Sequence, residues 1–190
     1  MIMNKLFSAL GLLCLGVSLT FAQSAQDTKT LKAALDGYMT AVKNKNIDGV
    51  LDYMPPKMFE TNSRENMKVA MSSENLQKVI YKELTVKKIS PFFIHQKNKY
   101  ALVKYLAVVI IPVPKDDKSK MESTFEIMKT MMGEDKVKLD TEKGEITLNS
   151  EAEMYAILNP QIKGWKFLGK SDQAPPIDGI IPKEVQEKLK

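Results

Sequence analysis

The spacing of apolar residues in the first third of the chain predicts helices. Between residues 31 and 42 the apolar positions recur every three or four residues, which is the period of one helical face. They are Leu31, Ala34, Leu35, Tyr38, Ala41 and Val42. Asp27 or Thr28 is expected to cap the first turn of this helix.

A second, shorter helix is predicted directly after the polar residues 43–46. Pro55–Pro56 ends it, because successive prolines remove two backbone donors and push the preceding residue into extended geometry. A third helix is expected to begin at Ser63 as its N cap and to run through Met71. The apolar positions of the second helix are Ile47, Val50, Leu51 and Met54.

From residue 82 onward the pattern changes to alternation, which predicts strands joined by hairpin turns at KN, TEKG and NPQIKG. In the longest strand, residues 99–113, the odd positions are all apolar or aromatic, and we call Ala101, Val103, Tyr105, Ala107, Val109 and Ile111 the odd face. The even positions, which we call the even face, are Tyr100, Leu102, Lys104, Leu106, Val108 and Ile110. A strand of this length is expected to bend. The predicted strands are 82–90, 92–96, 99–113, 137–140, 145–149, 154–158 and 164–169.

A methionine-rich helix is predicted between the strands. Ser119 and Glu122 have the spacing of a capping box, and Gly133 is expected to end the helix. Its apolar residues suit core packing, but they spread around more of the helix than one stripe needs. We hypothesise that this insertion covers the mouth of a pocket or joins a subunit interface. Those residues are Met121, Phe125, Ile127, Met128, Met131 and Met132.

The first 22 residues have the pattern of a secretory signal peptide. Lys5 precedes an apolar run from Leu6 to Ala22, and the run ends in small residues. We expect cleavage before Gln23, export to the periplasm or the extracellular space, and no membrane insertion afterwards. The alternative is an N-terminal anchor that is retained.

Composition limits what the exported part could be. About 168 residues would remain after cleavage, enough for one domain with an ordinary core. Cys14 is the only cysteine and lies in the predicted signal peptide, which excludes disulfides and cysteine metal sites from the mature chain. Arg64 is the only arginine, and arginine is the side chain that forms two-pronged contacts with phosphate and guanine. The sequence therefore argues against nucleic-acid binding, and the net charge of +5 suits a solvated surface.

The order of predicted elements resembles the NTF2-like, cystatin-like superfamily. The resemblance is carried by LKAALDGYMTAVKNKNIDGVLDYMPPKMFE and NPQIKGWKFLGKSD, with a general match over residues 28–170. DYMPPKMFE also resembles an uncharacterised group of exported bacterial proteins. The resemblance implies an α+β domain over residues 23–170, in which N-terminal helices pack into the concave face of a curved antiparallel sheet and form a cone with a pocket. A proline-rich linker and a short C-terminal helix are expected over residues 171–190.

Enzymes that this fold resembles, such as ketosteroid isomerases and related dehydratases, use an Asp, His or Tyr aimed into the cone. Here the odd face offers only the hydroxyl of Tyr105. His95, the only histidine, is interpreted as an ordinary residue at a strand end rather than as a general base. Residues 140–151 have the length of a calcium loop, but Gly144 and Glu145 stand where an oxygen ligand and a glycine are needed. No catalytic residue, metal site or cofactor is predicted.

The predicted function is a non-catalytic domain that binds a small apolar ligand or a protein partner. Two alternatives remain open: an isomerase-like or dehydratase-like enzyme that uses Tyr105 or His95, and a structural assembly protein that forms a homodimer through the even face. Six residues are predicted to line the pocket, namely Tyr53, Met58, Phe59, Tyr105, Phe125 and Trp165.

Overall fold

A computed structural model describes the backbone of residues 4–170 and 179–190, and the side chains of residues 24–170 and 179–190. The signal peptide predicted over residues 1–22 lies outside the described side chains. Residues 171–178 of the predicted linker lie outside the described backbone. The chain divides into two units, Met1–Gly37 and Tyr38–Lys190.

Within the described backbone, the first unit is helical from residue 4 onward. Helix α1 runs from Asn4 to Lys43 and so continues into the second unit. The prediction that Asp27 or Thr28 caps this helix is wrong, because both lie inside it. The hydroxyl of Thr28 donates to the carbonyl of Ser24 at 2.9 Å, a bond typical of a helix interior. Among the residues that the structure describes, no helix has both the length and the apolar character needed to cross a bilayer.

The second unit combines six further α-helices with six strands, all within the described residues. The helices are α2 (Ile47–Asp52), α3 (Met58–Thr61), α4 (Arg64–Met71), α5 (Glu74–Lys78), α6 (Lys118–Met132) and α7 (Lys183–Lys188), with a 3-10 turn at Glu134–Lys136. The strands are β1 (Ile80–Ile89), β2 (Phe93–His95), β3 (Asn98–Pro112), β4 (Val137–Asp140), β5 (Glu145–Leu158) and β6 (Lys166–Lys170).

The strands form one antiparallel sheet with β3 and β5 at its centre. The order is β1-β3-β5-β4, while β2 extends the β1 edge by pairing with β3, and β6 extends the β4 edge by pairing with β5. Strand β1 has register shifts at Tyr81/Glu83 and Val86/Lys88, and such bulges bend a strand. The predicted fold class is confirmed: a curved antiparallel sheet with N-terminal helices, consistent with an NTF2-like fold.

Local signals predicted several helix ends correctly. Helix α2 ends just before Pro55–Pro56, and Ser63 caps α4 by accepting a hydrogen bond from the Asn66 amide at 3.2 Å. The N cap of α6 is Asp117 rather than the predicted Ser119, because the Asp117 carboxylate accepts from the Lys120 amide at 2.9 Å. Gly133 ends α6 with a φ of 102°, as expected for a glycine stop.

Two predictions about strands were wrong. The turn between β2 and β3 is Gln96–Lys97, one residue earlier than KN, since both residues have positive φ and His95 pairs with Asn98. The segments predicted as separate strands at residues 145–149 and 154–158 form one strand, β5. Pairing with β3 runs unbroken from Lys99↔Leu158 to Pro112↔Glu145. Hydrogen bonding to this central strand therefore keeps the polar residues between the two predicted segments in extended conformation.

The C-terminal segment covers part of the even face. Within the second unit, residues from both central strands, β6 and the C-terminal segment form one buried cluster. Next to this cluster, the Glu153 carboxylate accepts hydrogen bonds from Lys104 and Lys170 at 2.6 Å each, and these bonds lower the pKa of Glu153. The cluster consists of Tyr100, Leu102, Tyr155, Ile157, Leu168, Ile181, Val185 and Leu189.

Candidate functional site

A cavity of about 290 Å³ lies within the second unit, between the helices and the odd face of the sheet. Its volume is at the small end of the range for ligand sites, ~300–1,000 Å³. The walls come from the end of α1, from α2, α4 and α5, and from the three strands β1, β3 and β5. The lining residues are Tyr38, Met39, Val42, Lys45, Ile47, Val50, Met54, Met71, Leu76, Gln77, Tyr81, Leu84, Tyr105, Ala107 and Met154.

A tight reversal between α1 and α2 brings the helical wall together. Lys45 has a φ of 53°, and the side chain of Asn46 caps α2 by accepting from the Gly49 amide at 3.0 Å. Glycine suits position 49 because an added Cβ would stand 2.8 Å from the Asn46 Nδ2 and 3.2 Å from the Ala41 Cβ. The reversal allows apolar residues of both helices to face the same cavity.

The far end of α2 is held to the sheet by backbone and ring contacts. The amide of Phe167 donates to the carbonyl of Tyr53 at 2.7 Å, and the ammonium of Lys166 donates to the carbonyl of Asp52 at 2.6 Å. The Phe167 ring lies 5.2 Å from the Tyr38 ring and 5.8 Å from the Tyr53 ring. These contacts position Tyr38, which lines the cavity.

On the sheet side, a bulge decides which residues of β1 reach the cavity. Tyr81 and Leu84 are three positions apart, so regular alternation would place them on opposite faces. The register shift between Tyr81 and Glu83 gives them the partners Val109 and Ala107, which lie on the odd face. Both Tyr81 and Leu84 therefore line the cavity.

Three tyrosines contribute phenol groups to the lining of this largely apolar cavity. Burial raises the pKa of Tyr38 to about 12, and the nearby phenols of Tyr105 and Tyr81 add to that effect. The pKa of Tyr105 is also raised, mainly by burial and then by Tyr81. Tyr38 and Tyr105 are therefore neutral hydrogen-bond donors near neutral pH.

Tyr38, Tyr81 and Tyr105 all line the cavity, and their hydroxyls are its phenolic groups. None of them has a hydrogen-bond partner within the described part of the chain. In that same part, every fully buried side-chain nitrogen or oxygen atom has a partner. The three hydroxyls must therefore be accessible, and the cavity is the space that their side chains line.

Lys45 and Gln77 supply the remaining polar side chains of the lining. The ammonium of Lys45 donates to the carbonyl of Gln77, and the Gln77 amide Nε2 donates to the carbonyl of Met71 at 3.0 Å. These bonds connect the turn after α1 with α4 and α5. Of the lining residues that the structure describes, Lys45 carries the only charge, and it is positive.

Three of the six predicted pocket residues lie in the sheet or directly beside one of its strands. Tyr105 lines the cavity. Tyr53 lies next to the lining residue Tyr38, and the centres of the two rings are 5.9 Å apart. Trp165 stacks on Phe92 with the ring centres 5.6 Å apart.

The other three lie at different places. Met58 packs against the even-face cluster. The Phe59 ring lies 5.9 Å below the Arg64 guanidinium carbon, and the Phe125 ring lies 5.2 Å from the Lys129 ammonium. The six residues are therefore not brought together at one cavity, and ligand contact with them stays a prediction.

His95 stands apart from the cavity lining. Its Nδ1 lies 3.2 Å from a carboxylate oxygen of Glu184 on α7, and its ring stacks on Phe93 at 6.5 Å. Its contacts link the β2 hairpin to the C-terminal helix.

Sequence reasoning missed Tyr38 and Tyr81 as site residues. Tyr38 belonged to the apolar face of the predicted first helix, a pattern that suits core packing equally well. Tyr81 preceded the predicted start of its strand, and only the bulge directs it to the odd face. The spacing of tyrosines along the chain offered no signal for either.

Comparisons with known proteins identify a similar solved structure but no matching family. No protein-family model matches this chain, and no curated protein matches it. Among solved structures, it is similar to a Streptomyces avermitilis protein assigned as a dehydratase of the NTF2-like family. The two share 10% sequence identity with a TM-score of 0.37, over 76% of this chain and 93% of the other. The fold class stated above therefore depends on the topology itself.

Proposed function

We propose that this protein binds a small, largely apolar molecule in the cavity between its helices and the odd face of its sheet. The observation that carries the proposal is the cavity of about 290 Å³, whose walls are mainly aliphatic and methionine side chains. Burying an apolar ligand against such walls is favourable by roughly 25 cal/mol per Å² of apolar surface removed from water. Export through the predicted signal peptide is part of the same proposal.

Tyr105 keeps the enzyme alternative open, because it is a nominated catalytic residue that lines the cavity. Its raised pKa, however, keeps the side chain protonated near neutral pH, so almost no phenolate is present to act as a base. Binding is the function that the geometry favours, with Tyr105 as a hydrogen-bond donor. The homodimer alternative remains a prediction.

A fluorescent probe tests the proposal directly. The neutral dye N-phenyl-1-naphthylamine brightens in apolar surroundings, and we expect saturable brightening with the wild-type protein. Ala107→Phe should reduce that affinity by about tenfold or more, because a large ring from the middle of β3 would occupy the cavity.

Ala33→Phe is the matched control. Ala33 is exposed and is not a lining residue, so the same substitution there should leave dye binding unchanged. Circular dichroism would verify that both variants fold. Equal dye binding by wild-type protein and a folded Ala107→Phe variant would contradict the proposal.

A further inference from the structure

The polar groups of the cavity indicate what kind of ligand it would take. We propose that the ligand is an apolar carboxylate, whose head group accepts hydrogen bonds from the cavity tyrosines and is attracted by Lys45. This inference rests on the proposed function, because it names the ligand class of the same site.

The hydroxyl groups are the first argument. Tyr38, Tyr81 and Tyr105 come from α1, β1 and β3, and their phenols are close enough to influence one another. No described residue accepts a hydrogen bond from these three hydroxyls. The hydroxyls therefore favour a ligand that carries oxygen acceptors. An ionised acceptor gains more than a neutral one, since hydrogen bonds to charged groups are the stronger kind.

Charge is the second argument. Lys45 is positive, and the described lining includes no aspartate or glutamate. An ammonium group has three donors, and the described contact of Lys45 with the Gln77 carbonyl uses one of them. An anionic ligand is therefore attracted by the cavity, whereas a cationic ligand meets a like charge without a compensating carboxylate.

A carboxylate suits this cavity better than a phosphate. The lining includes no guanidinium, the group whose fork matches phosphate oxygens, within the described residues. A doubly charged head group would also lose more hydration on entering a largely apolar cavity. The remaining walls are apolar and suit a hydrocarbon or aromatic body.

A matched series of ligands tests the head group. Isothermal titration calorimetry at pH 7 would compare 4-phenylbutanoate, 4-phenylbutan-1-ol and 4-phenylbutan-1-amine, which share one apolar body. We expect the acid to bind about tenfold more tightly than the alcohol, and the amine to bind most weakly.

The outcomes separate this inference from the proposed function. If the acid and the alcohol bind with equal affinity, the carboxylate inference is overturned while the proposed function stands. If the dye binds but the acid does not, the inference is overturned as well. If neither the dye nor any member of the series binds, the proposed function itself fails.

Variants locate the head group. Lys45→Gln and Tyr105→Phe should each reduce the advantage of the acid over the alcohol by about fivefold to tenfold. Tyr81→Phe serves as a second phenol variant if Tyr105→Phe fails to fold. The controls are Lys43→Gln, an exposed residue outside the lining, and Tyr100→Phe on the even face. An unchanged acid-to-alcohol ratio in all folded lining variants would overturn the inference.

Discussion

At the scale of single residues, Tyr38 belongs to two packing groups at once. Its ring contacts Tyr53 and Phe167, which hold α2 to β6. The same residue lines the cavity together with Tyr81 and Tyr105. Burial raises the pKa of Tyr38 to about 12, and the neighbouring phenols of Tyr105 and Tyr81 add to that effect.

We predict that Tyr38 makes the protein sensitive to alkali. Its folded pKa of about 12 exceeds the ordinary 10.0, so the unfolded chain releases this proton first as the pH rises. The contribution to stability is complete below about pH 10 and disappears towards about pH 12. Between pH 8 and pH 11, wild-type protein should lose about 1.4 kcal/mol more unfolding free energy than Tyr38→Phe.

Urea unfolding of both proteins at the two pH values measures this difference. Absorbance titration at 295 nm gives an independent check, because the wild-type minus Tyr38→Phe difference should titrate near pH 12. A difference titration near pH 10, or equal losses of stability, would contradict the assignment.

At the scale of elements, α7 depends on packing rather than on its own sequence. A helix of six residues is unstable alone in water. Ile181 and Val185 are 0% exposed, and Leu189 is 6% exposed, in the cluster with Tyr100 and Leu102. The linker and helix expected after residue 170 thus end in a segment that is part of the core of the second unit.

We predict that Val185→Ala lowers the unfolding free energy by about 2 kcal/mol, because it removes buried methyl groups and leaves a cavity. Glu187→Ala on the exposed side of the same helix should change it by less than about 0.5 kcal/mol. Chemical unfolding measures both values. Equal effects of the two substitutions would mean that α7 does not pack as described.

The methionine-rich helix α6 is buried along one part and exposed along another. Met121 is 2% exposed, whereas Met131 is 65% exposed and Ile127 is 57% exposed. Part of the helix is therefore core, and another part presents apolar side chains to solvent. The hypothesis that this insertion covers a pocket mouth or joins a subunit interface stays a prediction.

At the scale of the second unit, the two faces of the sheet have different roles. The odd face contributes the floor of the cavity, and the even face is partly covered by the C-terminal segment. The predicted homodimer through the even face would have to use the part beyond Lys104, where Leu106, Val108 and Ile110 are half-buried.

Removing every residue after Lys170 tests this division. We predict that the shortened chain self-associates, because it would expose the cluster side chains of β3 and β5 to water. Light scattering after size-exclusion chromatography would detect the change, with full-length protein at the same concentration as the control. A monomeric shortened chain of unchanged stability would contradict the prediction.

The sequence by itself determined the features that depend on neighbouring residues. The stop after α2 follows from two prolines, the start of α4 from the Ser63 cap, and the long strand β3 from alternation. The odd positions of that strand also indicated one entirely apolar strand face. These signals sufficed for the α+β class because each acts over a few residues of chain.

Tertiary structure decided what depends on distant partners. Pairing with β3 made β5 continuous, a bulge directed Tyr81 to the odd face, and packing on Tyr100 buried Val185. The predicted pocket residues included Tyr105 but not Tyr38, because helical periodicity identifies an apolar face without showing what it faces. The cavity and its polar groups arise where segments far apart in sequence meet, so no local pattern could specify them.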